Sequence, residues 1–202
     1  MRPEEIERES MRIIGEEMGA YSGEQDNLTV IKRVIHTTAD FDFKDKMVFS
    51  EKAVQKAREA LSSGVTVVTD TQMAAAGINK IAAKRFGIEV VCRMSNPEIR
   101  EEAAKRQVTR AVVSMEEAVR QTPNAIFAIG NAPTALMRLC ELIEEGKASP
   151  SLVIGVPVGF VNVVESKEIL TRTDVPFIAA MGRKGGSTVA SAIVNALMYG
   201  IA

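Results

Sequence analysis

The sequence predicts an α/β fold of the doubly wound kind. The expected core is a mainly parallel five-stranded sheet with helices on both faces and a helical N-terminal segment. Two observations predict it. Five short runs are apolar throughout rather than alternating, as strands buried on both faces require. Stretches of helical character separate those runs, and alternating strands and helices imply right-handed crossovers within one layered sheet.

The strand runs are Val65 to Thr69, Ile88 to Cys92, Ala125 to Ile129, Leu152 to Val156 and Pro176 to Met181. Helices are expected over Glu98 to Arg106, Met115 to Gln121, Thr134 to Glu145, Val161 to Thr171 and Ser187 to Tyr199. Ahead of the first strand, Pro3 suits the first turn of a helix, and Ile6, Ile13, Ile14 and Met18 give that helix an apolar stripe. Ser10 lies near the stripe. A second helix is read from Leu28, Ile31, Val34 and Ile35, which recur at three- and four-residue spacing. Gly146 to Pro150 reads as a helix-to-strand turn. No linker or repeat interrupts the chain, so residues 1–202 are expected to form one domain.

Composition narrows the function. Lys and Arg number 25 and Asp and Glu 26, a net charge of −1. Overall charge therefore gives no reason to expect nucleic acid or an anionic membrane as partner. No apolar stretch approaches the roughly 20 residues of a membrane span. The acidic start, Arg2-Pro3-Glu4-Glu5, is unlike a signal peptide, so a cytoplasmic setting is expected. Cys92 and Cys140 form neither a disulfide framework nor a metal motif and read as buried thiols.

Ligands of open α/β sheets bind beyond the carboxyl ends of the strands. Polar and glycine residues crowd all five ends. The segments at those ends hold Asp70, Met73 and Gly77, then Arg93 to Pro97, then Asn131 and Thr134, then Val158, Gly159 and Phe160, and finally Gly182 to Ser187. In the last group Arg183 and Lys184 precede Gly185, Gly186 and Ser187 at a helix start, where backbone N–H groups and cations can meet an anion. A capped helix with solvated charges is the plain alternative. The segment is neither a Walker A loop nor G-x-G-x-x-G. Arg110 is placed to clamp a carboxylate or to lie on the surface. Glu165 to Glu168 reads as a solvated helix face, with an interior-facing Glu165 or Lys167 as the alternative.

The chain has one histidine, His36, in the expected last turn of the second helix. Histidine alone has an unperturbed pKa between pH 5 and 8. Carbonyls exposed in a last helical turn favour a cation. His36 is therefore either a proton donor or a residue that only stabilises the helix end.

These residues fall into blocks. They are Glu9-Ser10, Arg33 to His36, Asp70-x-x-Met73-x-x-x-Gly77, Thr109-Arg110, Gly130 to Leu136, Gly155 to Val161, Glu165 to Lys167 and Gly182 to Ser187. In this order and spacing they closely resemble the precorrin-8X methylmutase family, including the cobalt-precorrin-8 methylmutases of cobalamin biosynthesis. The resemblance spans nearly the whole chain.

It implies an isomerase that moves a methyl group from ring carbon C11 to C12 of a corrinoid, giving hydrogenobyrinate, or cobyrinate when cobalt is already inserted. It implies no cofactor, no external methyl donor and no protein-bound metal. It also implies a homodimer, and the interface of that dimer is expected to help close each site. His36 becomes the general acid, typically worth about 10²–10⁴-fold in rate. Ser10, Arg110, Arg183 and Lys184 would hold the substrate's carboxylates, and Met73, Val158 and Phe160 would wall the ring. Asp70, Gly77, Asn131, Thr134, Gly159, Gly185, Gly186 and Ser187 complete the expected binding set. A non-catalytic corrinoid carrier and a nucleotide-linked enzyme on the same fold are the competing readings.

Overall fold

The computed structural model describes residues 2–201; Met1 and Ala202, the ends of the expected domain, lie outside the described residues. Its elements run α1 (Pro3–Met18), α2 (Gln25–Thr38), α3 (Phe43–Lys46), β1 (Met47–Phe49), α4 (Ala53–Ser62), β2 (Val67–Thr69), α5 (Gln72–Gly77), α6 (Lys80–Arg85) and β3 (Val90–Val91). They continue through α7 (Pro97–Arg106), α8 (Arg110–Gln121), β4 (Ile126–Ile129), α9 (Pro133–Glu144), β5 (Leu152–Gly155), α10 (Val163–Leu170), β6 (Phe177–Ala180) and α11 (Ser187–Tyr199).

All five expected strands form, and a sixth corrects the strand count. The sheet order is β1-β6-β5-β4-β2-β3. β2 to β6 are parallel, whereas β1 pairs antiparallel with β6, Met47 opposite Ala180. β1 has only three residues between charged flanks, too short for an apolar run to stand out.

The two-residue period of the strands sorts their side chains between two cores. Val67, Ile126, Ala128, Leu152, Ile154 and Ile178 face α2, α4 and α11. Val68, Phe127, Ile129, Val153 and Ala179 face α8 and α9. Because β4, β5 and β6 are buried at every position, they read as unbroken apolar runs.

α1 starts at Pro3 as expected, but its stripe divides: Ile14 and Met18 are buried, while Ile6 and Ile13 are exposed. α2 follows its sequence pattern closely. Val30, Ile31, Val34 and Ile35 are buried, and Ala39 ends the helix in the left-handed conformation, its N–H donating to the Ile35 carbonyl at 2.7 Å. Among the described residues no helix is long and apolar enough to cross a membrane.

The chain winds outward from β2 to β3, returns across β2, and then winds the other way through β4, β5 and β6. The direction switches between β2 and β4. Their carboxyl ends mark the crevice where open α/β sheets place ligands.

Candidate functional site

At that crevice the protein supplies its own anion. Asp70 follows β2 and is 2% exposed. Its carboxylate accepts from the backbone N–H groups of Gly130, Asn131 and Ala132 at 2.9, 2.8 and 2.7 Å. These three donors lead into α9 and form the cradle that a nucleotide phosphate would occupy. Burial pushes the Asp70 carboxyl above the usual range, and the three N–H groups pull it back. With its oxygens spent on backbone, Asp70 braces the loop that carries Asn131 and leads into Thr134 of α9. The nucleotide-linked reading thereby loses its phosphate cradle at the switch point.

The β6–α11 loop is tied down on all sides. The Gly186 N–H donates to the Val156 carbonyl at 2.9 Å, and the Gly159 N–H donates to the Arg183 carbonyl at 3.2 Å. Lys184 Nζ donates to Asp40 at 2.6 Å and Asp42 at 2.8 Å. This pairing holds the Asp40 carboxyl below its ordinary range and lifts the Lys184 ammonium above its own. Lys184 thus joins the loop to the end of α2, where its charge is already shared by two carboxylates. Ser187 Oγ lies 2.7 Å from Thr71 Oγ1, which also caps α5 by accepting from the Ala74 N–H. Arg183 is exposed, its guanidinium 5.4 Å from the centroid of the Phe160 ring.

Gly185 shows how tight this is. A Cβ there would lie 2.1 Å from the Val156 carbonyl oxygen, at a φ of +158°. Gly185→Ala is expected to cost at least about 2 kcal/mol, lowering Tm by roughly 5 °C in a chain this size. A calorimetric scan checks it, and an unchanged Tm would mean the loop has room to shift.

The remaining expected residues divide. Thr134 Oγ1 lies 3.1 Å from Thr109 Oγ1, which places the neighbouring Arg110, exposed at the start of α8, beside α9. Met73, Val158 and Phe160 are exposed, Phe160 by 82%. Gly77 has a packing role, since a Cβ would lie 2.6 Å from Ser191 Oγ of α11. Ser10 Oγ donates to the Ile6 carbonyl of its own helix at 2.9 Å. His36 is exposed in the last turn of α2, four residues before the Asp40 that holds Lys184. The loops after β2, β4, β5 and β6 are therefore linked into one surface, with the end of α2 attached to it. Ser10 and Gly77 are joined to it by no such bond among the described residues.

Lys167 takes the interior-facing alternative. Ser166 and Lys167 are buried and Glu165 and Glu168 exposed. Cys140 is buried, its thiol pushed up to about 12 by burial and so unreactive, whereas Cys92 is only half-buried, against expectation. Among the described residues no group of three or more His, Cys, Asp or Glu could hold a metal. A cleft of about 620 Å³ opens beside Arg110, lined also by Met94, Pro97 and Arg100. A larger one, about 660 Å³, follows the β3 edge, and no expected site residue lines it.

Residues 5–200 match the model of the precorrin-8X methylmutase family. The chain belongs to that family. Among its relatives, the cobalt-precorrin-8 methylmutase of Priestia megaterium is 45% identical over 197 residues, covering 98% of this chain and 88% of that protein. The Salmonella typhimurium protein of the same name is 48% identical over 84% of this chain and 80% of its own. The precorrin-8X methylmutase of Pseudomonas aeruginosa is 38% identical, over 82% and 80% respectively. The crystal structure of the Thermus thermophilus precorrin-8X methylmutase superposes with a TM-score of 0.89 at 40% identity, covering 96% of each chain. Within the methylmutase fold, the residues whose tying bonds sequence reasoning did not find are Asp40, Asp42, Thr71, Thr109 and Lys167. Thr71 and Thr109 lie beside expected residues, and Asp40 and Asp42 follow His36 by four and six positions, but their partners are distant in sequence.

Proposed function

We infer that this methylmutase shifts a methyl group from C11 to C12 within one corrinoid, with protonated His36 as its general acid. The isomerase activity follows from family membership across residues 5–200. The observation that supports the residue roles is the linked surface at the carboxyl end of the sheet. It presents exposed Met73, Val158 and Phe160, and Arg183 stands over the Phe160 ring. A flat conjugated ring fringed by carboxylates needs such a combination of apolar area and few placed cations.

A 1,5-type methyl shift needs no nucleophile. The ring must be held in its reactive conformation, and a proton shared with a ring nitrogen biases the electrons toward migration. In our reading His36 supplies that proton, Arg183 and Arg110 hold carboxylates, and Phe160 lies against the ring. Lys184 keeps the surface attached to α2. The same reading takes the chain as one unit and a homodimer, because apolar groups this exposed are poorly stabilised in water and a second copy would close the site over the ring. It places the enzyme in the cytoplasm.

The test is the absorption spectrum of the protein mixed with metal-free precorrin-8X, and separately with the cobalt form. Conversion to the hydrogenobyrinate or cobyrinate spectrum is expected. Tight binding with an unchanged spectrum in both cases would establish a carrier instead.

A further inference from the structure

Lys167 occupies a helix position that calls for an apolar residue. Val163, Ser166 and Leu170 are buried on the same stripe of α10, and Lys167 itself is fully buried. Nζ donates to the carbonyls of Gly182 and Lys184, both at 2.8 Å. The carbonyl between them, that of Arg183, accepts from Gly159. Three consecutive carbonyls are thus fixed, two of them by one ammonium.

Burying a lysine is costly: desolvation pushes its pKa down to about 8. A methionine would fill the stripe without that cost. What the ammonium adds is a definite shape for a loop that would otherwise have many. Gly182, Gly185 and Gly186 all have positive φ and little intrinsic preference for this path. The residue held between the two anchored carbonyls is Arg183, which stands over Phe160.

We propose that Lys167 is a positioning residue for corrinoid binding: by gripping the backbone on both sides of Arg183, its ammonium sets the Arg183–Phe160 pair in the geometry that receives the substrate. The proposal rests on reading Arg183 as a carboxylate-holding residue.

The experiment is a double-mutant cycle on affinity for hydrogenobyrinate, using Lys167→Met, Arg183→Ala and the double variant, with Tm recorded for each. Lys167→Met is expected to weaken binding about tenfold, roughly 1.4 kcal/mol. KM should change more than kcat, and any fall in Tm should be small, because the two released carbonyls belong to half-buried residues that water can reach. In the double variant the two losses should be far from additive, because the second change removes what the first has already misplaced. Fully additive losses, or undiminished affinity in Lys167→Met, would overturn the proposal. Undiminished affinity in Arg183→Ala would overturn the reading of Arg183 and the proposal with it. If Lys167→Met does not fold, Lys167→Gln, which keeps a donor for one carbonyl, is read in the same cycle.

Discussion

Replacing His36 with alanine is expected to lower turnover of bound substrate by about 10²–10⁴-fold, the usual worth of a general acid. Binding of the product should stay within a few-fold of the original. The structure makes this substitution unusually clean. His36 is exposed in the last turn of α2, and the face that packs on the core is carried by Val30, Ile31, Val34 and Ile35. Losing an exposed side chain there costs about 1 kcal/mol at most, through the helix dipole. A large rate loss at constant Tm therefore reports chemistry rather than folding. Single-turnover absorbance measurements, alongside a product titration, separate the two. Near-normal turnover in His36→Ala would remove the histidine from the mechanism and leave the isomerase to work by ring positioning alone.

Replacing Asp70 has the opposite character. Asp70→Ala strips the partner from three backbone N–H groups at once. Each orphaned donor costs about 1–3 kcal/mol where water cannot replace the partner, so a loss of at least about 3 kcal/mol is expected in denaturant unfolding. Asp70→Asn should lose less. Its remaining carbonyl oxygen can serve Asn131 and Ala132 together, as Oδ2 does now, but its amide would face the Gly130 N–H. Corrinoid affinity should fall in both variants, because the released loop carries Asn131 and leads into Thr134 of α9. A stability loss under about 1 kcal/mol with abolished binding would mean instead that the carboxylate meets the substrate directly.

These two residues show what kind of information a sequence holds. His36 was legible because the periodicity of α2 and its polar exit locate it without reference to the rest of the chain. The same holds for β4, β5 and β6, whose burial on both faces is written as continuous apolar runs. The position of Asp70 after a strand was equally plain. Its partners were not, because they lie sixty residues on and are backbone groups, which carry no sequence signal. Lys184 was read as a cation free to hold an anion, and its pairing with Asp40 and Asp42 joins loops more than 140 residues apart. β1 was missed for a different reason. It forms because β6 offers an edge to pair with, and nothing in Met47-Val48-Phe49 alone demands a strand. Lys167 lay within reach of local reasoning: it falls on the Val163, Ser166, Leu170 stripe, and charge alone argued for the solvated face.

The ties also explain the architecture of the site. Asp70 bonds the loop after β4, Thr71, Gly159 and Lys167 all bond the β6–α11 segment, and Lys184 bonds the chain after α2. A ring-shaped substrate touches many loops at once, so their relative placement has to be set before it arrives, and preorganisation of this kind lowers the ordering cost of binding.

The most direct measurement of the central claim follows the methyl group itself. Precorrin-8X carrying a ¹³C-labelled methyl at C11 is incubated with the protein, without any added methyl donor, and its carbon spectrum is recorded. The account predicts that the labelled resonance moves quantitatively to the C12 position with no loss of label. A resonance that stays at C11 while the corrinoid is fully bound, or a label lost to solvent or exchanged between molecules, would contradict it.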